Sequence, residues 1–481
     1  MIRQMFIQTY ENSVAQYSGK LAYVCGKHRI SYGELDHQAR CITAGLMHNG
    51  LTSGDRVALQ VQSTSDFAAC CIAVWRAGGV VQPLDTGLSA SDLFSLLNIA
   101  PVSFLLGDKP AELLPTGIQA LQVTLLKEHH PAESSTARQA DEDAIILFSS
   151  GTTGKPKGIV HTHASMSEVI RRSVSVSGLE FTDVLLATSL SNTGFGIHSY
   201  VLEPLSCGAT VVVNDPFHPR VALQIGHQEH VTWIQTVPAV LKLLLTVKNN
   251  QNLSALRSIR LGAATLDEQS SDKCLEKFGI EPIQGYGMSE IGRIACSTLS
   301  PQNSGGWMSV NKGIDLKIFT DDLTESTVNQ AGEIGVRAGS LCRPYYLVQN
   351  EVHEPLTMNN SYFMTGDLGK VSDTGLLKLM GRRKRFILTP RYKVDPAEVE
   401  HVLQQHPEIS EVAVIPVPGK NGYEIVKAVL VAKSPLMEAE IFTYCSNLLP
   451  QGKCPQIIEF IDQLPRNKLG KVEIAKISGG P

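Results

Sequence analysis

Apolar and polar positions along this chain follow two periods, and the switches between them mark strands and helices. From Ile30, the run ISYGELDHQARCITAGLMHNG sets Leu35, Ala39, Ile42 and Leu46 at helical spacing behind a capping Ser31, and Gly50 and Gly54 close it. Asp55 to Leu59 then reads as the start of a strand, Phe67 to Ala77 as a second helix stopped by Gly78-Gly79, and Val80-Val81 as the next strand. Ala144 to Phe148 is a short apolar run bounded by Asp141, Glu142 and Asp143, the pattern of a buried strand. A helical stretch from Ala164 follows, then VTWIQTVPAVLKLLL as strand and helix, and SIRL as a strand that ends at Gly262, Ala263 and Ala264. Near the C-terminus, Pro396 to Gln405 reads as a helix, with EVAVIPVP and VKAVLVA as strands. Strands alternating with helices at this spacing predict an α/β fold.

A chain of 481 residues is too long for one core, and roughly two or three domains are expected. Hydrophobic content of 43% and charged content of 18% are ordinary for a soluble globular protein, and the net charge of -4 argues neither for nucleic acid nor for an anionic membrane surface as the main partner. The ten cysteines are scattered without a CxxC pair, a pattern of reduced thiols rather than a disulfide framework or zinc site. The opening MIRQMFIQTYENS lacks the apolar region of a signal peptide, and Phe67 to Trp75 is too short to span a membrane before Arg76 stops it. A cytoplasmic protein with no membrane span is expected.

Candidate chemistry concentrates first in FSSGTTGKPKGIVHTHA, Phe148 to Ala164. A strand running into Ser149, Ser150, Gly151, Thr152, Thr153 and Gly154 offers hydroxyls and closely approachable backbone N–H groups, and Lys155 and Lys157 add the charge a polyphosphate needs. A Walker loop is excluded, because Pro156 follows Lys155 where a helix and a hydroxyl would be required. The second cluster is Gln284-Gly285-Tyr286-Gly287-Met288-Ser289-Glu290: a planar ring for stacking, a hydroxyl, and a hard oxygen ligand for Mg2+. The third is Tyr362 to Leu368, read as a strand ending in Gly366-Asp367, so that one carboxylate at a strand terminus can accept from both hydroxyls of a ribose. A hairpin at Asp373-Thr374-Gly375 leads to Gly381-Arg382, and the chain closes with PRNKLGK, ending at Lys471.

These motifs, in this order, resemble those of the adenylate-forming superfamily: acyl- and aryl-CoA synthetases, nonribosomal peptide synthetase adenylation domains and beetle luciferases. The opening pattern GDRVAL…AVWRAGGVVQPLD is similar as well. The resemblance implies an α/β fold with a large multi-subdomain N-terminal domain of mixed sheets, residues 1–383, and a small mobile α+β C-terminal domain, residues 384–481, hinged at Lys384. It implies ATP and Mg2+, with Thr152 and Glu290 at the metal, and Ser149 to Lys155 with Lys157 on the phosphates. Gly262, Ala263, Ala264, Tyr286, Gly287, Met288 and Ser289 would line the nucleotide, with Asp367 and Arg382 on the ribose. Lys471 would swing in between carboxylate and α-phosphate as catalytic residue, with Glu290.

The reaction implied joins a carboxylic acid to AMP with release of pyrophosphate, then passes the acyl group to coenzyme A or to the phosphopantetheine of an acyl carrier protein. One departure bears on the acceptor: Arg391 stands where relatives carry a glycine that lets pantetheine pass. The acid pocket falls on Asn192, Thr193, Gly194 and His198, where amino-acid-activating relatives usually offer an aspartate. A polar turn entering a helix, with a core histidine, is the plain alternative for those residues. An uncharged Asn192 suits an aryl or acyl acid better than a zwitterion. An amino-acid-activating enzyme, or a nucleotide-binding pseudo-enzyme that forms no thioester, remain as alternatives.

Overall fold

The computed structural model describes residues 5–477 apart from 89, 109–113, 133–138, 151–155, 190, 249–252, 263–265, 267, 298–305, 350–351, 383–386, 390–392, 420–423, 450–451 and 467–471. The chain divides into two compact units, one of residues 1–303, 309–315 and 337–356, the other of residues 304–308, 316–336 and 357–481.

The first unit holds two sheets. In one, the strands run in the order His28–Ser31, Leu21–Cys25, Thr210–Val213, Val184–Ala187, Trp233–Thr236, Ser258–Leu261, Ile283–Met288 and Gly292–Cys296. From Leu21–Cys25 to Ile283–Met288 all pairings are parallel; the two outermost are antiparallel. Thr210–Val213, Trp233–Thr236 and Ser258–Leu261 are buried along their whole length, as parallel strands covered on both faces must be. Val24, Leu186, Val212, Ile234 and Ile259 share one core with Leu223, Leu241 and Leu244 from the helices Pro219–Gln228 and Pro238–Thr246.

The other sheet runs Val352–Pro355, Tyr345–Gln349, Pro156–Thr162, Asp143–Ser150, Val80–Pro83, Arg56–Gln60, Phe104–Gly107 and Gln119–Gln122. The helices predicted beside it form as expected. Tyr32–His48 starts at a capping box in which Ser31 accepts from Glu34 N and the Glu34 side chain accepts from Ser31 N. Thr64–Ala77 is capped by Ser63 and ended by Gly78 at φ 93°, the left-handed conformation that glycine adopts without strain. That apolar helix is buried within its own unit: Trp75 Nε1 donates to the Ala144 carbonyl at 2.7 Å, and Arg76 pairs with Asp36 at 2.6 Å. No helix among the described residues is long and apolar enough to cross a membrane.

The second unit begins with strands at 316–319, 332–336, Tyr362–Val371 and Leu376–Arg382, the last three paired antiparallel. Here the sequence expectation needs correcting. The strand does not end at Asp367 but continues to Val371, with Gly366 at φ 73° and a register shift between Leu368 and Gly369. The left-handed glycine kinks the strand without terminating it, because the backbone pairing with Leu376–Arg382 carries on past it. The expected hairpin is present, with Gly375 at φ 80°. The rest is a three-stranded sheet of Ile409–Pro418, Glu424–Ala432 and Ile457–Phe460. Val399, Leu403, Ile441 and Cys445, from the helices Pro396–Gln404 and Glu438–Leu448, share its core.

Candidate active site

Asp143–Ser150 and Pro156–Thr162 pair antiparallel, with Ser149 opposite Lys157 and Ser150 opposite Pro156. The two ends of the phosphate-suited run are therefore held one strand spacing apart, and a strand rather than a helix leaves it, as the rejection of a Walker loop required. Gly151, Thr152, Thr153, Gly154 and Lys155 lie outside the described residues, as do the side chains of Ser149 and Ser150. On the stem, the Lys157 ammonium sits 5.0 Å from the centre of the Tyr346 ring. The Tyr346 hydroxyl in turn donates to Glu290 Oε1 at 2.9 Å. One aromatic side chain thus ties the cation of the loop stem to the carboxylate of the second motif.

That carboxylate is held by a tight turn. Ile283–Met288 pairs antiparallel with Gly292–Cys296, Met288 facing Gly292. A Cβ on Gly287 would sit 2.5 Å from the Gly292 carbonyl oxygen, and Gly292 adopts φ 77°, so the hairpin requires both glycines. Glu290 is 8% exposed, and its carbonyl accepts from Cys342 N at 2.8 Å. Met288 closes the strand, and Tyr286 within it is buried. The Ser289 carbonyl is met by His161 Nε2 at 2.7 Å, and His161 Nδ1 lies 3.0 Å from Ser165 Oγ. A carbonyl can only accept, so Nε2 carries the proton and Nδ1 accepts from the serine. Burial pushes this imidazole down to about 4, opposed by the carbonyl and reinforced by the neighbouring His198, and holds it neutral.

The acid-pocket residues gather on a short segment against this turn. Thr193 Oγ1 accepts from Gly196 N at 2.9 Å and caps the helix Gly194–Ile197, which runs into a π-helical turn at His198–Leu202. A Cβ on Gly194 would lie 3.8 Å from Ser289 Oγ, so the two motifs adjoin. Ser191 Oγ donates to Thr64 Oγ1 at 2.9 Å. Asn192 is 5% exposed, and neither its Oδ1 nor its Nδ2 has a partner among the described residues; the same holds for His198 Nδ1. Burial and the Arg293 guanidinium push His198 down to about 4. A Cβ on Gly262 would meet the Phe195 ring at 2.9 Å, so only glycine fits under that ring. Ala263 and Ala264 lie outside the described residues.

In the second unit, Asp367 is 6% exposed and directly opposite Arg382 in the strand pairing. Its N–H donates to Thr365 Oγ1 at 3.1 Å, and Gly366 N donates to Glu333 Oε1 at 3.0 Å, which fixes the kink on which the carboxylate sits. The Arg382 side chain, and Lys384, Arg391 and Lys471 altogether, lie outside the described residues.

The donor set of the first unit fits a nucleotide polyphosphate with a divalent cation. Glu290 supplies hard anionic oxygen in a fixed place, Lys157 supplies positive charge, and the strand ending at Ser150 delivers the chain to the phosphate-suited loop. Sequence reasoning missed His161, Tyr346 and Arg293. His161 had a signal, since it shares a strand face with the buried Ile159 two positions earlier. Tyr346 had none, because its partners Lys157 and Glu290 are far away in sequence.

A model of the AMP-binding enzyme family matches residues 10–346, and a model of the AMP-binding enzyme C-terminal domain matches residues 398–471. The 2-succinylbenzoate–CoA ligase of Bacillus licheniformis is 28% identical over 94% of this chain and 95% of its own. MenE, the o-succinylbenzoate CoA synthetase of Bacillus subtilis solved with the acyl-adenylate OSB-AMP, is 25% identical with a TM-score of 0.86 over 99% of both chains. The same enzyme solved with ATP and a magnesium ion gives a TM-score of 0.84 over 96% of this chain and 98% of that one. ATP-bound MatB of Rhodopseudomonas palustris, 24% identical, superposes with a TM-score of 0.89 over 98% of both chains, which shows a shared fold. The mixed α/β architecture expected from the sequence is the architecture of these enzymes.

Proposed function

The chain belongs to the AMP-binding enzyme family, and from that premise we propose how its residues perform the work of an AMP-forming acid–thiol ligase. Such an enzyme joins a carboxylic acid to AMP at the expense of ATP and then moves the acyl group to the thiol of coenzyme A. In the first step a carboxylate oxygen attacks the α-phosphorus, and the bond from that phosphorus to the bridging oxygen breaks, releasing pyrophosphate. In the second the thiolate sulfur attacks the acyl carbon, and AMP leaves with the oxygen it gained. No covalent protein nucleophile is needed, since positioning and charge neutralisation carry this chemistry.

The observation that carries the assignment is the Lys157–Tyr346–Glu290 array, which sets a cation and an anion of fixed position beside the stem of the phosphate-suited loop. Magnesium bound at Glu290, and at Thr152 of the loop, would neutralise phosphate charge. Asp367 and Arg382 hold the ribose, and Tyr286 with Gly262, Ala263 and Ala264 takes the base. Residues 384–481 form a cap that turns about Lys384 and brings Lys471 between the two reacting anions. The ten free cysteines support a reducing, cytoplasmic setting.

ATP–pyrophosphate exchange tests the assignment. Lys471→Ala lowers exchange by about two to three orders of magnitude, as loss of a charge-stabilising donor does, while ATP binding stays measurable by calorimetry. Unimpaired acyl-AMP formation in that variant would refute the role. Adding coenzyme A identifies the acceptor: thioester formation shows that Arg391 is no obstacle, and its absence points to a carrier protein's phosphopantetheine.

A further inference from the structure

Arg172 and Arg260 each feel the charge of Arg293, which stands on the strand Gly292–Cys296, and the donors of the three are used very differently. Arg172 engages all three nitrogens: Nη1 with Ser340 Oγ at 2.7 Å, Nη2 with the Ile291 carbonyl at 2.5 Å, and Nε with the Arg293 carbonyl at 3.2 Å. Arg260 donates to the Ser177 carbonyl at 2.9 Å and lies over the Trp233 ring at 5.1 Å. Arg260 Nε is buried without a partner among the described residues, and Arg293 goes further. Its Nη1 is wholly buried without a partner, and its side chain makes no hydrogen bond or ion pair among the described residues.

The place of that guanidinium is set by glycine. Arg293 stands opposite Gly287 in the hairpin, and its Cδ and Nε lie 3.7 and 3.4 Å from the point where a Cβ on Gly285 would be. The missing side chain lets the arginine cross the strand toward Leu261 and Gly262, where Phe195 covers the chain. His198, on the turn following Phe195, feels its charge. Thus Arg293 reaches the same buried space as the proposed acid pocket, where Asn192 and His198 also hold polar atoms without partners.

The local charges do not balance. Besides Arg172, Arg260 and the neutral His198, the carboxylates felt in this group are Glu203, which registers on Arg260, and Glu168, which registers on Arg172 and is paired with Arg171. Glu203 Oε1 accepts from Ser173 Oγ at 2.6 Å, and no described carboxylate comes within ion-pair distance of Arg260 or Arg293. Arg293 is half-buried with its Nη1 enclosed, and a charged donor enclosed without a partner is costly, while the planar fork is matched to a carboxylate.

We propose that Arg293 binds a second anionic group on the acyl part of the substrate, so that the acid activated is a dicarboxylic acid, one carboxylate passing to AMP while the other rests on this guanidinium. This rests on the placement of the acid pocket at Asn192 to His198 given above. It narrows the expectation drawn from Asn192 alone, which was an aryl or acyl acid rather than a zwitterion.

The test is ATP–pyrophosphate exchange by the whole chain with ATP and Mg2+, against straight-chain and benzene dicarboxylic acids, their monomethyl esters, and monoacids of equal carbon number. A diacid should exceed its own half-ester in kcat/KM by about tenfold or more, the discrimination that about 1.4 kcal/mol confers. Arg293→Gln should bring that ratio below about threefold, and Arg293→Lys should restore part of it. The Arg293 carbonyl, which accepts from Arg172 and Asn311, is untouched by either change. Half-esters or monoacids matching the diacids in the unmodified enzyme would overturn the proposal, and need no variant to fold. So would an equal fall for both substrate types in Arg293→Gln, which would assign the guanidinium to the nucleotide or the fold. Exchange with monoacids alone defeats this inference and spares adenylation; silence with every acid defeats the adenylation reading and this inference with it.

Discussion

The turn that carries Ser289 and Glu290 and the segment from Asn192 to His198 adjoin, and both bury polar groups, yet their hydrogen bonds are distributed in opposite ways. In the turn, the Ser289 carbonyl is met by His161, the Glu290 carbonyl by Cys342 N, and the Glu290 carboxylate by Tyr346. In the segment, both amide atoms of Asn192 and the Nδ1 of His198 are buried without partners among the described residues, and Arg293 Nη1, on a guanidinium that His198 feels, is in the same condition. An unpaired buried polar group costs about 1–3 kcal/mol, so a fold keeps several together where something other than the protein completes them. The difference therefore separates two duties. The saturated turn holds chemistry in place, and the unsaturated segment is shaped for a guest.

Removing the anchored carboxylate gives the largest expected effect. Glu290→Ala should lower ATP–pyrophosphate exchange by about two to three orders of magnitude and raise the Mg2+ concentration needed for what remains. Tyr346→Phe should do the same to a smaller extent, because it frees the carboxylate without removing it. Exchange that survived Glu290→Ala at near-normal Mg2+ would break the comparison from the side of the turn, since a saturated network would then be serving the fold alone.

The two regions also differed in how legible they were beforehand. Ser289, Glu290 and the phosphate-suited run stand in compact local patterns, and local patterns survive in a sequence: glycines where the backbone turns, hydroxyls and acids where it stops. The alternation of strand and helix, and the caps at Ser31 and Gly78, were legible for the same reason. What holds Glu290 was not. Tyr346 reaches it from a strand paired with Pro156–Thr162 through Tyr346↔Ile159, a register that no local pattern encodes. Asp367 shows the opposite failure. The Gly-Asp pair looked like a strand end, but the pairing of Asp367 with Arg382 carries the strand past it. Arg293 escaped notice because its meaning lies in the counter-ion it lacks among the described residues, and only the packed fold reveals a missing partner.

Acid is a gentler probe of the turn. The His161 imidazole ordinarily titrates at 6.5 and is held at about 4 by burial. Its folded value is depressed, so the unfolded chain binds a proton that the folded one refuses between those limits. Stability is fully present above 6.5 and falls as pH drops toward 4, by up to about 3 kcal/mol for this one group. The slope should be visible in urea midpoints measured from pH 7 to 4.5. His161→Gln, which cannot titrate, should show a pH slope shallower by as much as one proton across that window. Identical slopes in the two proteins would mean that His161 is charged in the fold, and that the Ser289 carbonyl is held by something other than a neutral N–H.

The smallest expected change sharpens the comparison most. Asn192→Leu replaces two unpartnered amide atoms with methyl groups of similar volume, at a position 5% exposed. A side chain whose polar atoms bond to protein would make such a change costly; one awaiting a guest makes it harmless or mildly stabilising, within about 1 kcal/mol in urea unfolding. The same variant should raise KM for the acid while leaving KM for ATP near its original value, because the loss falls on acyl binding. His161→Leu, the matching change in the turn, should instead cost about 2 kcal/mol by stranding the Ser289 carbonyl. If Asn192→Leu destabilised as much as His161→Leu, the segment would be saturated through bound water, and the contrast between scaffold and guest site would disappear. If stability held and KM for the acid rose, the unpaired amide would be identified as part of what the free enzyme keeps ready for its substrate.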